Sequence, residues 1–525
     1  MNIRKPYTFQ CFFALLFIGT IGCCVKSGAM TTEREDIAKE KEIYSKKAFY
    51  HDTIRGLWKK RRPVYLKWLQ GSAQTPYNLY NLQNETNNLL KYAGLTQDVE
   101  LTEELILLYA KALDTLDETD AYAFYYYPDS PRRSVHKLSS RHKMWLDNQK
   151  PVGDESILVS SQFLYLLSEA TDIVSRLPPD KQTPAMQNAI RQFVPVLLDH
   201  YKRWVFDEAE PFQVRGWGCK MKGKYVETGM NHFTFVKKKL NRELGDQGCP
   251  SYCNAVTDTD MWIIAGVVNL LAAHRKDSSL VVFPQEWYNQ FLAYAGVGID
   301  LLKTRFVYPE YTNFAGQPVT GALFDAGAWD DHSDYAYAGY CGKEYPDPGK
   351  KKKGKDVGWD LSHARRFVHV FDALHKHRVI FNMDFPSEDF MKMLTNQFLY
   401  ATFNRDFKLP LFSNFMDGSN GWFRAGYEDR VGFGYGPWDM SISVLTGGYG
   451  FWSIYNPDVE TVFRALLEMI NTTDPEVREH LQIHYEKNYW SKYERPRNID
   501  FSQKEDAGRQ SVLIQFLPSL YYIIQ

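Results

Sequence analysis

The stretch from 330 to 340, DDHSDYAYAGY, combines residue types that can exchange protons with a substrate. It places His332 shortly before Tyr335, Tyr337 and Tyr340. Imidazole and phenol groups can both act as general acids or bases. In an extended segment Tyr335 and Tyr337 would share one face, because side chains alternate along a strand. We therefore treat His332, Tyr335 and Tyr337 as candidate catalytic residues; sugar stacking or packing is the alternative for the tyrosines.

A second candidate pair is Asn231-His232, in GMNHFTF. An amide and an imidazole side chain can stabilise negative charge that develops on a substrate. The surrounding region, 219 to 242, is locally basic although the whole chain has a formal net charge of -1; its lysines are Lys220, Lys222, Lys224, Lys237, Lys238 and Lys239. An anionic polymer would be attracted there, and solvated surface lysines are the alternative. The net charge of the whole chain is close to zero, which argues against a nucleic acid as a partner.

The segment WDLSHARRF, from 359 to 367, predicts the start of a helix. Asp360 is a suitable N-cap, and His363, Arg365 and Arg366 follow in the first turns. A helix N-terminus favours anionic groups such as a carboxylate or a sulfate. His363 and Arg365 are therefore candidate catalytic residues and Arg366 a candidate binding residue, with ordinary surface positions as the alternative.

Aromatic residues make up 15% of the chain, and many of them lie in Gly-rich segments. The segment from 417 to 439, DGSNGWFRAGYEDRVGFGYGPWD, combines glycines that allow a close approach of the backbone with rings that can stack on sugars. A purely structural set of turns is the alternative. The predicted substrate-binding residues are Trp329, Arg366, Trp422, Arg424, Tyr427 and Trp438.

Carboxylates are numerous enough to supply the acid and the base or nucleophile of a glycoside hydrolase. The candidates are Asp325, Asp330, Asp331, Asp334, Asp417, Glu428 and Asp439 in loops, and Asp154, Glu155, Asp258 and Asp260 at helix starts. Asp154, Asp258 and Asp360 are most simply explained as N-caps, because Asp is favoured at that position on capping grounds alone. No cofactor is required by these patterns, although Asp330, Asp331 and Asp334 could bind calcium.

Four cysteines lie well beyond the N-terminal region: Cys219, Cys249, Cys253 and Cys341. Cys249 and Cys253 could pair with each other or with the other two. The chain lacks the paired CxxC spacing typical of zinc sites, so we expect no structural zinc.

The N-terminus has the pattern of an export signal. Arg4 and Lys5 precede an apolar run from 12 to 21, and Gly22 and Cys23 follow it. The run is too short to span a bilayer. Cys23 resembles the acylated cysteine of bacterial lipoproteins, with Thr20 in place of the usual Leu, and a plain secretory signal is the alternative. We expect a signal over 1–23, a linker over 24–45 and one catalytic domain over 46–525. We expect the protein to be exported to the periplasm or the cell surface, where it would be lipid-anchored, or to be secreted. Membrane contact would come only through the lipid.

Helical periodicity dominates the rest of the chain and predicts about a dozen helices. The windows are 44–69, 76–117, 154–176, 183–207, 257–275, 285–304, 360–378, 387–405, 438–472 and 511–525. The window from 257 is apolar almost all round, as expected of a helix enclosed by others. Strand patterns are short, near 281–283 and 306–308, so the predicted fold class is mostly α.

Three long loops, near 210–256, 305–359 and 406–437, separate the helical pairs and are rich in Gly, aromatic and charged residues. Loops of this length are usually functional or disordered, and their aromatic content argues against disorder. We expect them to meet and line one cleft.

Enclosed and amphipathic helices paired as hairpins, with aromatic loops, on an exported chain resemble the (α/α) toroid carbohydrate enzymes. That superfamily includes polysaccharide lyases and glycoside hydrolases, and the resemblance covers roughly 70 to 525 at the level of architecture. Asn231-His232 resembles the Asn-His pair that several toroid lyases place in the cleft, where it binds the uronate carboxylate and assists proton removal.

The resemblance implies a lyase that cleaves a uronate-containing, possibly sulfated, polysaccharide by β-elimination. Asn231 and Arg365 would neutralise the carboxylate. His232 or Tyr337 would remove the proton, and Tyr335 or His332 would protonate the leaving group. The alternatives are a toroid glycoside hydrolase that uses two carboxylates and a non-catalytic glycan-binding lipoprotein.

Overall fold

The computed structural model describes residues 27–70, 76–125, 133–147, 153–206, 219–221, 224–225, 230–342, 344, 346–347, 349–425, 434–488, 495–496 and 499–524. The chain divides into two compact units, 1–50 and 51–525. The boundary falls inside the first helix, which begins at Ser27 and so covers much of the stretch expected as a linker. The predicted signal and Cys23 lie outside the described residues.

The described part of the chain is mostly helical, as predicted, with 16 helices and 60% of residues in helix. The helices are α1 Ser27–Trp68, α2 Tyr77–Thr96, α3 Val99–Leu113, α4 Ile157–Arg176, α5 Pro184–Phe206, α6 His232–Leu240, α7 Asp258–Lys276, α8 Gln285–Lys303, α9 Leu361–Ala364, α10 Arg366–His377, α11 Glu388–Asn396, α12 Ile442–Thr446, α13 Asp458–Ile470, α14 Pro475–Leu481, α15 Ala507–Ser519 and α16 Tyr521–Ile524.

The strands are short, apart from one hairpin. They are β1 Asp117–Tyr125, β2 Arg133–Met144, β3 Leu146–Asp147, β4 Asp154–Glu155, β5 Lys220–Met221, β6 Lys224–Tyr225, β7 Phe306–Val307, β8 Glu310–Thr312, β9 Pro318–Thr320, β10 Leu323–Phe324, β11 Lys487–Asn488 and β12 Arg495–Pro496. β1 and β2 are antiparallel and belong to a four-stranded sheet of order β2-β1-β4-β3. The other described sheets have two strands each.

Helix α7 is the enclosed helix that the sequence predicts. Every residue from Asp260 to Ala273 is buried. Thr257 caps its N-terminus in a reciprocal capping box with Asp260, in which each side chain accepts the other residue's backbone N–H. Helix α4 is likewise buried all round, from Val159 to Ser175. Both helices therefore lie in the interior, as an all-round apolar pattern requires.

The buried helices pack side by side in a regular succession. α2 packs against α4, α4 along α7, and α7 against α10. α9 contacts both α10 and α12, and α15 packs against both α12 and α2. α3, α5 and α8 pack against members of this series: α3 against α2 and α5, α5 against α4, and α8 against α7.

Several expectations about local structure are wrong. The β1–β2 hairpin was not predicted, because the β2 sequence RSVHKLSSRHKM has no regular apolar alternation and its pairing rests on backbone hydrogen bonds. The 281–283 segment is a loop rather than a strand, whereas β7 lies where a strand was expected near 306. Asp154 is in β4, so Ser156 occupies the N-cap position of α4.

Two helical segments, Ile157–Arg176 and Ser251–Lys276, have the length and apolar composition of a membrane span, and 89% of each tested window is buried inside the protein. Burial of this extent is also found for core helices of globular proteins.

Candidate functional site

A cavity lies where the N-termini of α7 and α9 meet two of the predicted loops. It encloses about 430 Å³ of space between atoms, including solvent at its mouth. We call it the aromatic cavity, and it is lined by Thr257, Asp258, Trp329, His332, Asp334, Tyr335, Trp359, Asp360, His363, Phe423 and Arg424. The 305–359 and 406–437 loops contribute as expected. The described part of the 210–256 loop contributes no lining residue, although Tyr252 packs its ring edge-on against His332 at 5.2 Å.

His363 and Asp360 form a hydrogen-bonded pair in the cavity wall. His363 Nδ1 lies 2.8 Å from Asp360 Oδ2 and 3.0 Å from Oδ1. A carboxylate accepts, so Nδ1 carries the hydrogen and the neutral ring leaves Nε2 as an acceptor. The His363 side chain is 20% exposed while that of Asp360 is 1% exposed. The ring therefore has one nitrogen fixed by a buried acid and the other available as a base.

Asp360 is held ionised by its surroundings. Burial acts to raise its pKa, but His363, the Ser362 hydroxyl and Arg424 lower it, and the net result is a pKa well below the usual range. The side chain also accepts the backbone N–H of His363, which makes Asp360 the N-cap that the sequence predicts. One carboxylate thus starts α9 and orients the imidazole one turn later.

His332 has the opposite tautomer preference. The backbone N–H of Asp334 donates to His332 Nδ1 at 3.2 Å. Because Nδ1 accepts there, the neutral ring carries its hydrogen on Nε2. Trp329 and Tyr252 pack edge-on against the ring and fix its plane. The aromatic cavity therefore contains one imidazole suited to accept a proton through Nε2 and one suited to donate a proton through Nε2.

The two other carboxylates of the cavity each face an arginine. Asp334 Oδ2 lies 3.1 Å from Arg424 Nε, and the Arg424 backbone N–H donates to the Asp334 carbonyl oxygen at 2.8 Å. Arg424 has φ of 60°, an unusual backbone conformation for a residue with a side chain and one that is enriched at functional sites. Asp258 Oδ2 lies 3.4 Å from Arg366 Nη2.

Arg366 connects the cavity wall to a second group of polar residues, which we call the arginine cluster: Tyr80, Asn84, Arg365 and Arg366. Arg366 Nη2 donates to the Tyr80 hydroxyl at 3.1 Å, and Arg365 donates to the Asn84 side-chain oxygen. Burial acts to raise the pKa of Tyr80, but Arg366 and Arg365 lower it to about 8. The cluster therefore brings two arginines together behind the Asp258 carboxylate.

The aromatic walls of the cavity come from four rings. Trp329 and Tyr335 stack at 6.4 Å with an interplanar angle of 15°, and Trp359 meets Trp329 edge-on. Phe423 lies 6.1 Å from His363, also edge-on. The Tyr335 hydroxyl lies 3.4 Å from Asp360 Oδ2, and burial, then the Asp360 charge, raises the pKa of Tyr335 well above 10. Tyr335 therefore remains a neutral donor to Asp360.

The prediction that Asn231 and His232 face a cleft is wrong. Asn231 caps α6: its side-chain oxygen accepts from the Thr234 N–H at 2.8 Å, and its amide donates to the Phe206 carbonyl. His232 is fully buried, 2.9 Å from Asp260 Oδ1 and 2.8 Å from the Tyr294 hydroxyl. The pair resembles a lyase motif because an Asn at a helix start and a core histidine happen to be adjacent in sequence.

The basic region around this pair is also partly internal. Lys239 is buried and pairs with the same Asp260 carboxylate, through Oδ2 at 2.5 Å. Lys237 lies over the ring of Phe233 at 4.0 Å. The side chains of Lys220, Lys222 and Lys224 lie outside the described residues.

Tyr337 and Trp422 do not line the cavity. Tyr337 is fully buried, packs with Trp422, Ala336 and Ala425, and donates to the Asp347 carbonyl oxygen at 2.9 Å. Tyr335 lies in a tight helical turn, Ser333–Tyr335, so the shared face expected of an extended strand does not exist. Trp422 donates its indole N–H to the Gly342 carbonyl. Trp438 is half-buried with φ of 72° and is not among the lining residues, and Tyr427 lies outside the described residues.

The other predicted carboxylates have structural partners. Asp325 accepts the Val256 N–H and faces Arg305. Asp417 accepts the Gly358 N–H, Asp439 accepts the Gly436 N–H, and Glu155 pairs with Arg203; Glu428 lies outside the described residues.

The three aspartates considered for calcium bond to separate groups. Asp330 accepts backbone N–H groups of 356 and 357, Asp331 contacts Ser251 and Lys353, and Asp334 pairs with Arg424. Among the described residues, no three His, Cys, Asp or Glu side chains are arranged to hold a metal ion.

The structure contains one of the disulfide pairings that the sequence leaves open. Cys219 and Cys253 form a disulfide across 34 residues of sequence. Cys249 does not pair with Cys253; its sulfur accepts the backbone N–H of Asp246. Cys341 is exposed.

Sequence reasoning missed several residues of the site. Tyr80 and Asn84 lie in α2, which the periodicity identifies only as a helix. One feature of the sequence could have indicated them: α2 carries the polar run QNETNN from 83 to 88 among its apolar residues. In the structure Gln83, Thr86 and Asn88 of this run are fully buried. Asp258 and Asp360 were considered chiefly as caps, and Trp359 and Phe423 as part of loops.

Chemically, the site combines a base-type imidazole, an acid-type imidazole, two ion-paired carboxylates, the adjacent arginine cluster and walls of aromatic rings. Such an arrangement suits proton transfer at a ligand with apolar faces and negative charge.

No protein family, curated protein or solved structure matches this chain.

Proposed function

We propose that the protein is a carbohydrate-active enzyme that cleaves a uronate-containing polysaccharide by β-elimination in the aromatic cavity. The observation that carries the proposal is the Asp360–His363 pair, with Nδ1 fixed at 2.8 Å from a buried carboxylate in a cavity walled by aromatic rings. A histidine held in this way is oriented and electrostatically supported as a general base.

In the proposed reaction His363 Nε2 removes the proton at C5 of the uronate. The electron pair of that C–H bond becomes the C4–C5 double bond, and the C4–O bond of the glycosidic link breaks. His332 Nε2–H protonates the departing oxygen. The opposite tautomers of the two imidazoles support this division, because one ring starts as the acceptor and the other as the donor.

The substrate carboxylate must be neutralised while negative charge develops next to it. Arg424 lines the cavity and the arginine cluster lies directly behind Asp258, so either can supply positive charge. Arg365 keeps its proposed role as part of the cluster, and Arg366 and Arg424 take the place of Asn231, because Asn231 is occupied as a helix cap. An anionic polysaccharide that contains uronate, with or without sulfate groups, is the proposed partner.

Elimination is favoured over hydrolysis by the state of the carboxylates. A glycoside hydrolase needs one carboxyl group that stays protonated, usually because its pKa is raised. In the aromatic cavity Asp334 and Asp258 each face an arginine, and the pKa of Asp360 is lowered. Each of these three carboxylates is thus paired with an arginine or an imidazole, an arrangement that suits a lyase better than the protonated acid of a hydrolase. A non-catalytic glycan-binding protein would need the aromatic walls but not the two oriented imidazoles.

We also propose that the helices form an (α/α) toroid. The succession α2, α4, α7, α10, α9, α12, α15 and back to α2 supports a closed inner ring, with α3, α5 and α8 outside it. The starts of α7 and α9 both contribute to the cavity, so the site would lie at one end of that ring.

Export is proposed from the N-terminal signal pattern and the cysteine at position 23. The Cys219–Cys253 disulfide supports it, because such bonds persist mainly in oxidising compartments. A lipid-anchored or secreted protein would meet polymeric substrate directly.

The reaction class is tested by incubating the protein without residues 1–23 with alginate, pectate, ulvan and glycosaminoglycans. Ultraviolet absorbance of unsaturated uronate and the number of reducing ends are followed together. We expect both to rise with one of these polymers. A rise in reducing ends alone would establish hydrolysis, and retention of polymer on an affinity gel without either signal would establish a binding protein.

A further inference from the structure

A second group of catalytic residue types lies outside the aromatic cavity, between β2 and α5. Ser140 Oγ lies 2.9 Å from His142 Nε2. His142 Nδ1 lies 2.8 Å from Asp199 Oδ1. The three side chains form a continuous chain of hydrogen bonds from a hydroxyl through an imidazole to a carboxylate, although Asp199 is 57 residues from His142 in sequence.

The group lies in a groove of about 1120 Å³, including open solvent, which we call the lateral groove. Its lining residues are Ser139, Ser140, His142, Pro195, Leu198, Asp199, Lys202, Arg203, Phe206 and Trp287, none of which lines the aromatic cavity. Ser140 is exposed, whereas the side chains of His142 and Asp199 are only 18% and 32% exposed. The hydroxyl can therefore meet a ligand while the two supporting groups are partly shielded.

The tautomer follows from the geometry. Asp199 accepts from Nδ1–H, so the neutral ring presents an unprotonated Nε2 to the Ser140 hydroxyl. A serine whose hydroxyl donates to an imidazole that is in turn oriented by a carboxylate is the arrangement that activates serine as a nucleophile, and it is recognised by geometry rather than by chain order.

We propose that Ser140, His142 and Asp199 form a nucleophilic triad that hydrolyses carboxylic esters in the lateral groove. This activity is separate from the proposed elimination and does not depend on it.

In the first step Ser140 Oγ attacks the ester carbonyl and His142 Nε2 takes the hydroxyl proton. The bond from the acyl carbon to the alcohol oxygen then breaks, and His142 returns the proton to the departing alcohol. Water attacks the resulting acyl-serine with His142 as base, which releases the carboxylic acid and restores Ser140. Both steps balance without any other reactant.

The groove supplies two features that fit such a substrate. Lys202 brings a positive charge into the groove, where it can stabilise an oxyanion, and its ammonium lies 4.5 Å from the ring of Trp287. The Trp287 ring offers an apolar surface for the part of the ester that carries the leaving alcohol.

The test uses p-nitrophenyl acetate hydrolysis and covalent labelling by diisopropyl fluorophosphate, located by mass spectrometry. Ser140→Ala is compared with Ser278→Ala, a control because Ser278 is likewise exposed and lines neither the lateral groove nor the aromatic cavity. We expect labelling at Ser140. We expect hydrolysis to fall at least about 100-fold in Ser140→Ala and in His142→Ala, and to stay near wild type in Ser278→Ala.

Circular dichroism and thermal unfolding establish that each variant is folded. Absence of labelling at Ser140 in the wild-type protein would overturn the proposal, as would hydrolysis by Ser140→Ala at the rate of Ser278→Ala. Loss of elimination activity has no bearing on either readout, so this proposal and the proposed lyase function fail independently.

Discussion

His363 Nδ1 lies 2.8 Å from Oδ2 of Asp360, and the same Asp360 carboxylate accepts the backbone N–H of His363. The acid that begins α9 is thus also the acid that orients the imidazole. Its own backbone is fixed by an antiparallel bridge to Phe415, and the next N–H donates to Asn414. Because the i, i+3 spacing of a helix cap sets the distance between the two side chains, the pair is preorganised by the fold.

Substitution Asp360→Asn should lower kcat by about 10²–10⁴-fold with little change in KM. Asparagine keeps an oxygen that can cap α9, but its amide cannot hold Nδ1–H with a negative charge and allows the other tautomer. The measurement is steady-state kinetics on the polymer identified by the panel. Asp384→Asn is the control, since Asp384 is exposed and pairs only loosely with Lys303 at 3.4 Å. Unchanged kcat in Asp360→Asn would remove the carboxylate from the mechanism.

Tyr80 should titrate earlier than an ordinary tyrosine. Arg366 and Arg365 outweigh the effect of burial and lower its pKa to about 8, so above that pH the hydroxyl becomes a phenolate. Absorbance at the phenolate band during a pH titration should show one group with a midpoint near pH 8 in the wild type that is lost in Tyr80→Phe. Tyr77→Phe, which removes an exposed tyrosine of the same helix, should keep that transition. Identical titration curves for wild type and Tyr80→Phe would refute the electrostatic account of the arginine cluster.

His232→Ala should reduce stability rather than remove a catalytic group. The substitution leaves the buried Asp260 carboxylate and the Tyr294 hydroxyl without their imidazole partner, and such losses cost about 3 kcal/mol or more. Urea unfolding measures the change, with His51→Ala as a control at a more exposed histidine. Elimination by the folded fraction should persist. A variant of wild-type stability that has lost turnover would restore His232 to the active site.

Glu169→Gln should stabilise the protein at neutral and higher pH. Burial raises the pKa of Glu169 from 4.5 to about 7, in spite of Lys376 and Lys91, so the folded state binds a proton that the unfolded state releases. Wild-type stability therefore falls as pH rises from about 4.5 to 7, and the variant avoids that loss, worth at most about 3 kcal/mol. The free energy of unfolding of wild type and variant is measured at pH 8 and at pH 5. The gain in stability of the variant should be smaller at pH 5. Glu468→Gln, at an exposed site, is the control. An equal gain in the stability of Glu169→Gln at both pH values would contradict the assigned pKa of Glu169.

The helices were predictable because their apolar periodicity is strong, as in α7, and because caps such as Asp360 mark their starts. The site was predictable only in part. Residue type within loops indicates His332, Tyr335, Trp329 and Arg424, and a predicted helix start indicates His363; all five line the cavity.

The remainder of the site depends on tertiary contacts that a linear pattern does not encode. Tyr80 meets Arg366 across 286 residues, and Arg365 meets Asn84 across 281. Asn231-His232 shows the converse error, since a short motif cannot distinguish a helix cap beside a buried ion pair from a pair of ligand-binding groups.

The central claim is that His363 is the base of a β-elimination in the aromatic cavity. The most direct test is the initial rate of unsaturated uronate formation by wild type, His363→Ala and the control His51→Ala, on the polymer that gives the strongest signal in the panel. We expect His363→Ala to lose at least about 100-fold in rate while remaining folded by circular dichroism, and His51→Ala to stay near wild type. A wild-type rate in His363→Ala would contradict this claim.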